Sequence, residues 1–313
     1  MRRVSVVAPV FNEEAVLPEF ARRVTAVMEA AGAPYELILV NDGSRDGSLA
    51  RLRDIQRRDP RVRILNLSRN FGHQVAICAG LDYASGDVVA IMDSDLQDPP
   101  EVLPDFLKKQ EEGYDVVYAI RRNRKEGALK KLAYLVFYRI LNRIASVDIP
   151  SDSGDFCVIS RRAVDTLRGM PERNRFLRGL RGWIGLPQAG LEYERDRRYA
   201  GEVKYTFTKL MKLALDGFVS FSYLPLRLAS VLGLIVSALS FVGIALIFYV
   251  HFFTDKAADV PGWASVLVTV LFLGGVQLVT IGIIGEYLGR VYDEVKQRPL
   301  YVVQDAIGFD SKP

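Results

Sequence analysis

The chain has 313 residues, half of them hydrophobic and a quarter charged, with 41 Lys and Arg against 37 Asp and Glu for a net charge of +4. That length accommodates two globular domains, or one plus a membrane module, and a mean hydropathy of +0.11 argues against a wholly soluble protein. Only Cys78 and Cys157 occur, without CxxC or His-rich spacing, so neither a disulfide framework nor a zinc site is indicated.

Met1-Arg2-Arg3 gives a positive start, but the apolar stretch from Val4 to Phe11 is broken by Pro9 and followed by Asn12-Glu13-Glu14. No cleavable signal peptide is expected, and the N-terminal part is expected in the cytoplasm. Through residue 165, short apolar runs alternate with amphipathic stretches. Val4 to Phe11, Glu36 to Val40, Val62 to Leu67, Asp87 to Met92 and Tyr114 to Ile120 read as strands. Helical patterns fall at Glu14 to Ala31, Ser48 to Arg57, His73 to Tyr83 and Pro100 to Glu112. The alternation predicts an open, mostly parallel α/β sheet covered on both faces, with ligand at the carboxyl ends of its strands. Polar residues concentrate there, at Pro9 to Glu14, Asn41 to Gly47 and Asp93 to Asp98. Neither GxGxxG nor GxxxxGK occurs, which removes the usual dinucleotide and P-loop readings.

From Val203 to Ser222 apolar residues recur at three- and four-residue steps, with Lys204, Lys209, Lys212 and Asp216 on the other side. This predicts an amphipathic helix in the membrane interface; the plainer reading is a core-facing helix. Residues 195 to 227 hold seven cations and three anions, a basic collar suited to anionic headgroups or a lipid phosphate. Leu228 to Phe253 and Trp263 to Gly285 follow, 26 and 23 residues without Asp, Glu, Lys or Arg. Each exceeds the roughly 20 residues that cross a bilayer. Lys209, Lys212 and Arg227 precede the first run and Arg290, Lys296 and Arg298 follow the second, while the connection carries only Lys256. The positive-inside rule puts both flanks in the cytoplasm. The expected divisions are a catalytic domain over 1–200, a juxtamembrane region over 201–226, two spans within 227–287 and a cytoplasmic tail over 288–313, mobile beyond 299. Glycines in the spans, such as Gly274 and Gly275, make a homo-oligomer plausible.

The strongest chemical signal is Asp93-Ser94-Asp95-Leu96-Gln97-Asp98-Pro99-Pro100, three carboxylates in six residues directly after an apolar run. Oxygen donors at this density suit Mg²⁺ or Mn²⁺, completed by substrate phosphates. The alternative is an acidic turn with Asp98 as N-cap of the helix from Pro100, and both can hold. The loops after the first two strands offer apolar and carboxylate groups for a nucleotide, with Phe11, Glu13 and Asp42 as candidates.

Ser5 to Glu14, Asn41-Asp42-Gly43-Ser44-Arg45-Asp46-Gly47, Asn70-Phe71-Gly72 and Asp93 to Pro100 together resemble family-two glycosyltransferases of the GT-A fold. Ser153-Gly154-Asp155-Phe156, Glu172 to Phe176, Arg198 to Tyr205, Pro225-Leu226-Arg227 and Gly285 to Arg290 narrow the resemblance to polyprenyl-phosphate glycosyltransferases. That group includes bactoprenol glucosyltransferases and, more distantly, dolichol-phosphate mannose synthases. The chain departs from its pattern in having Val203 where Ser is frequent and Phe11 where Tyr is common.

The resemblance implies a GT-A domain joined to an interfacial helix and a two-helix transmembrane hairpin. It implies that Pro9, Phe11, Glu13, Asp42 and Asp93 hold the nucleotide, and that Asp95, with Asp93 and Gln97, holds Mg²⁺ or Mn²⁺. Arg121 and Lys131 are candidates for diphosphate or acceptor phosphate, and each taken singly reads equally as a solvated basic residue; Arg198 and Lys204 are the foremost candidates to offset the repulsion of two anionic substrates and position the lipid phosphate. Asp155 is the candidate base, or else a residue that orients the acceptor side. The expected reaction is inverting transfer of a sugar, glucose from a UDP-sugar foremost, to a polyprenyl monophosphate. GDP-mannose or another donor is the alternative. A processive polysaccharide synthase is disfavoured by two spans and no QxxRW-like segment, and a non-catalytic lipid-sugar binder or flippase by Asp93, Asp95 and Asp155. No nucleic-acid partner is expected.

Overall fold

The computed structural model describes residues 2–122, 153–170, 172–173, 175–195, 224–253 and 262–309. They fall into two units, one of residues 1–211 with 298–313 and the other of residues 212–297. The predicted amphipathic helix over 203–222 lies outside the described residues, as do Lys131, Arg198 and Lys204.

The first unit opens with β1 (Val4–Val10), α1 (Leu17–Ala30), β2 (Tyr35–Asn41), α2 (Ser48–Arg58), β3 (Val62–Leu67), α3 (His73–Tyr83) and β4 (Val88–Ile91). It continues with α4 (Leu103–Glu111, entered through a 3₁₀ turn), β5 (Val116–Arg122), β6 (Ser153–Ser160), α5 (Arg161–Arg168), α6 (Leu177–Trp183) and β7 (Gln188–Glu194). Pattern and chemistry account for the local choices. In α1 the buried residues Leu17, Phe20, Ala21, Val24 and Met28 form one stripe, and Pro18 sits in the first turn, where its missing N–H costs nothing. Gly32, at φ +66°, ends the helix in the left-handed conformation that glycine adopts freely. β2 buries apolar side chains on both faces: Leu37 and Leu39 join the core cluster that also holds the α1 stripe, Ile38 and Val40 the cluster that holds α3. Such double burial marks a central parallel strand.

The strands form one sheet in the order β7-β5-β6-β4-β1-β2-β3-β8, where β8 is Val303–Ile307. β1, β2, β3 and β4 are mutually parallel, and β5 is parallel to β7. β6 enters antiparallel between β4 and β5, and β8 runs antiparallel along β3. The sheet is mostly parallel, as the alternation predicts, with six of its eight strands running one way; the inversions of β6 and β8 are what the alternation does not predict. The inverted β6 brings the beginning of one strand to the edge where β1 to β4 end.

The C-terminal stretch also differs from expectation. The sequence beyond residue 299 reads as a mobile tail, yet Val303–Ile307 completes the sheet. Val302 accepts from the Ser68 N–H at 2.9 Å, Tyr301 donates to Asp82 at 2.8 Å, and Phe309 packs on Tyr83.

One buried charge in this sheet has measurable consequences. Glu36 on β2 is sealed from solvent and accepts from Ser5 and from the Ser85 N–H and hydroxyl, with Arg63 at 2.8 Å. Burial alone would raise its pKa, but these donors and Arg63 outweigh burial and hold it below the ordinary glutamate value. Because the folded value is the lower one, the stabilisation is complete at neutral pH and is lost as acid titrates through the depressed pKa. Glu36→Gln strands Arg63, and we expect it to cost about 3 kcal/mol. Thermal unfolding at pH 7 and pH 4 measures this, with the gap from the native chain narrowing at the lower pH.

The second unit consists of α7 (Leu224–Phe253) and α8 (Trp263–Val295). Large apolar side chains such as Leu234, Leu239, Phe241, Leu271 and Leu278 are exposed on both. Among the described residues one stretch, Thr269–Val295, is long and apolar enough to cross a bilayer, and Leu228–Gly243 is a shorter apolar stretch.

Candidate active site

The carboxyl ends of β1 to β4 gather the polar loops at one edge. The β1 loop is held by side chains of the β2 loop: Ser44 Oγ accepts from the Asn12 N–H at 3.0 Å and Ser48 Oγ from the Glu13 N–H at 3.0 Å. Asn12 takes φ +56°, a conformation that asparagine tolerates better than most residues, and it turns the chain between Phe11 and Glu13. Phe11 is exposed at this edge, Glu13 is half-buried, and the Pro9 carbonyl accepts from Ser94 Oγ at 2.8 Å. That last bond ties β1 to the acidic loop after β4.

Asp42 is placed differently from a simple nucleoside contact. Its carboxylate is buried and accepts from the Phe71 N–H at 2.7 Å, the Gly72 N–H at 3.0 Å and Asn70 Nδ2 at 3.0 Å. Burial pushes its pKa up against the pull of those amides. Asp42 thus fixes the loop that leads into α3. Gly43, at φ +64°, lets the two loops touch: a Cβ there would lie 2.4 Å from backbone atoms of Arg69 and Asn70. Gly43→Ala combines a strained backbone with a backbone clash, and we expect a loss of about 3 kcal/mol. Thermal unfolding and nucleotide binding of the variant check this together.

The acidic loop turns through Leu96, a buried residue in the left-handed region at φ +58°. This turn lets Asp95 Oδ1 accept from the Gln97 N–H at 3.1 Å. Strain of this kind persists where surrounding structure over-determines it, frequently at functional loops. Asp98 is not the helix cap that Asp-Pro-Pro suggests: the 3₁₀ turn from Pro100 has no side-chain cap. Asp98 is instead buried, accepts from Tyr193 Oη and lies 3.3 Å from Arg195 Nε, so it anchors β7.

Asp93 and Asp155, 62 positions apart in the chain, meet across β4 and the inverted β6. His73, at the first turn of α3, lies between them, with Nε2 3.4 Å from Asp93 Oδ1 and 3.4 Å from Asp155 Oδ2. Burial opposes the imidazolium, but the Asp155 and Asp93 carboxylates raise His73 to about 9. Asp155 is gripped by Arg178 of α6, Nε to Oδ1 at 2.8 Å and Nη2 to Oδ2 at 3.1 Å, and by Gln74 Nε2 at 3.1 Å. Burial would raise Asp155, yet Arg178 and His73 hold it well below the carboxylate range. Gln74 Oε1 accepts from the Leu177 N–H at 3.1 Å, which fixes the start of α6.

His73, Gln74 and Arg178 are functional candidates that the sequence reading did not name. His73 directly follows the Asn70-Phe71-Gly72 motif, the one signal that pointed to it. Arg121 belongs to β5 beside Tyr193 of β7.

The residues fit a divalent cation. Asp93 is pushed up to about 6, first by burial and then, against the pull of His73, by the carboxylates of Asp98, Asp155 and Asp95. That crowded negative charge is what a cation relieves. Among the described residues no three His, Cys, Asp or Glu side chains form a complete cage. Two carboxylates with phosphates and water filling the rest is the usual arrangement for Mg²⁺.

The polar loops and the acidic loop thus gather outside the carboxyl ends of the parallel strands, the place where open α/β sheets bind their ligands. Residues 5–168 match the family model Glycosyl transferase family 2, and the chain belongs to that family; it is a glycosyltransferase. A Bacillus subtilis protein, uncharacterized glycosyltransferase YkcC, is 46% identical over 98% of this chain and 95% of its own. The SfII prophage-derived bactoprenol glucosyl transferase of Shigella flexneri is 42% identical over 96% of this chain and 97% of its own. The prophage bactoprenol glucosyl transferase homolog of Escherichia coli K12 is 40% identical over 96% and 98%.

Proposed function

We propose that the protein transfers glucose from UDP-glucose to a polyprenyl monophosphate at the cytoplasmic face of a membrane, with inversion at the anomeric carbon. The observation that carries this reading is the meeting of Asp93 and Asp155 on His73, with the charge of Asp95 bearing on Asp93, at the edge where the β1 loop is tied to the acidic loop. The bactoprenol glucosyl transferases that match nearly the whole chain supply the sugar and the lipid.

Pro9, Phe11, Glu13 and the loop fixed by Asp42 seat the nucleoside, with Asp93 toward ribose and diphosphate. Asp95 and Asp93, with Gln97, would hold Mg²⁺ or Mn²⁺, which when bound offsets the charge that develops on a departing diphosphate. An oxygen of the lipid phosphate attacks the anomeric carbon and the C–O bond to the diphosphate breaks. That phosphate is largely ionised near neutral pH, so no strong base is demanded. Asp155, with both oxygens engaged by Arg178, Gln74 and His73, serves as an orienting residue. Arg121, Lys131, Arg198 and Lys204 offset the repulsion between two anionic substrates.

The fold supports a two-span hairpin for the second unit. β8 follows α8 and pairs with β3 of the catalytic sheet, which supports a reading in which the sheet strands before and after the helices share one face of the bilayer. One crossing would separate β8 from β3. If Thr269–Val295 crosses, the run within Leu224–Phe253 crosses as well.

The deciding experiment incubates detergent-solubilised protein with polyprenyl phosphate, Mg²⁺ or Mn²⁺ and labelled nucleotide sugars, and scores label in the organic phase. Label from UDP-glucose that chelator abolishes is expected. Label from GDP-mannose alone would reassign the donor, and no lipid label from any donor, with folded protein, would overturn the transferase reading of the site.

A further inference from the structure

Asp305 lies on β8, far in sequence from every acidic motif, yet it ends a side-chain relay that runs into the donor loops. Its Oδ2 accepts from Asn66 Nδ2 at 3.1 Å, and Asn66 Oδ1 accepts from Asn41 Nδ2 at 2.8 Å. Asn41 Oδ1 accepts from the Ser44 N–H at 3.3 Å, and Ser44 Oγ accepts from the Asn12 N–H at 3.0 Å. Asn12 Oδ1 closes the relay on the Arg45 N–H at 2.8 Å. Sheet register creates the first two steps, because Asn41 pairs with Asn66 and Asn66 with Asp305 across β2, β3 and β8.

The relay has a direction. A carboxylate only accepts, so Asp305 obliges Asn66 to turn its NH₂ outward to β8 and its carbonyl inward to Asn41. Asn41 must then donate to Asn66, which leaves its own carbonyl for Ser44. Turning the Asn66 amide over would set NH₂ against NH₂ at Asn41. Both amides are buried, 2% exposed for Asn41 and 4% for Asn66, so bulk water is a poor substitute for a lost partner. Asp305 also lies 3.7 Å from Arg53, but both side chains are more than two-fifths exposed, and such a pair is worth little.

We infer that Asp305 is a positioning residue for the donor, setting through Asn66 and Asn41 the conformation of the 43–47 loop and of the Phe11–Glu13 turn. The inference rests on the donor reading of those loops given above. The strand that follows the apolar helices thereby becomes part of the donor site's scaffold.

The test uses the full chain and three variants, Asp305→Ala, Asp305→Asn and Arg53→Ala. Hydrogen exchange of the substrate-free protein reads the relay directly. In Asp305→Ala the amides of Asn12, Ser44 and Arg45 are expected to exchange about tenfold faster, with amides of β1 and β4 unchanged. In turnover the same variant raises the UDP-glucose KM about tenfold with kcat within about twofold. Asp305→Asn keeps an acceptor oxygen and restores both readings, while Arg53→Ala leaves both at their native values. Native exchange in Asp305→Ala, or a matching defect in Asp305→Asn or Arg53→Ala, overturns the relay. Faster exchange with a native KM overturns the donor role. The exchange arm needs no substrate, so it decides the relay even where UDP-glucose is not turned over, an outcome that counts against the donor reading instead.

Discussion

Asp95→Ala is expected to lower transfer of labelled sugar into the organic phase, in the assay proposed above, by about a thousandfold, with the chain still folded. The size follows from the charge that must be accommodated, since removing one preorganised stabiliser of a developing charge commonly costs 10²–10³ in kcat. Asp95 lies in a loop whose turn is set by buried Leu96 at φ +58° and closed by the Gln97 N–H on its carboxylate. The carboxylate is therefore already in place before substrate arrives, and its loss cannot be offset by a neighbour that swings in. Raising Mn²⁺ or Mg²⁺ should recover little of the rate, because Asp93 alone offers one carboxylate. Circular dichroism and membrane fractionation separate a chemical defect from a folding one. A variant within tenfold of the native rate would remove Asp95 from the reaction.

The elements and loops that frame the candidate site were legible in the sequence, and the contacts that were not share a physical cause. β1 to β4 and α1 to α3 announce themselves through local periodicity and end within a few residues of the expected bounds. Asp93 and Asp95 are visible because both lie in one short loop. The meeting of Asp93 with Asp155 is not local: it requires β6 to enter antiparallel beside β4, and no periodicity encodes a partner strand. His73 carried no signal as a lone histidine at a helix start, and its meaning comes from the two carboxylates that flank it. Asp98 followed by two prolines imitates a helix cap, and only the approach of β7 with Tyr193 and Arg195 reveals a buried anchor. β8 is five residues long and follows a long apolar helix, so composition alone makes it a tail.

The pairing of Asp155 with Arg178 allows two roles for the carboxylate to be told apart. Arg178→Ala leaves Asp155 beside Asp93 without its closest counter-charge, and transfer is expected to fall about a hundredfold, or about 2.7 kcal/mol of transition-state stabilisation. Arg178→Lys should recover only part of this, because an ammonium cannot reproduce the two-pronged grip at 2.8 and 3.1 Å. If Asp155 orients the site through Arg178 and His73, then Asp155→Asn, Arg178→Ala and the double variant all fall to a similar rate, the non-additivity expected of groups that act as one unit. If Asp155 accepts the proton of the attacking group, Asp155→Asn falls well below Arg178→Ala and the double variant follows it down. The geometry favours the first outcome: a carboxylate with both oxygens occupied and a pKa held well below the usual range is a weak base, and an ionised acceptor phosphate has no need of a stronger one.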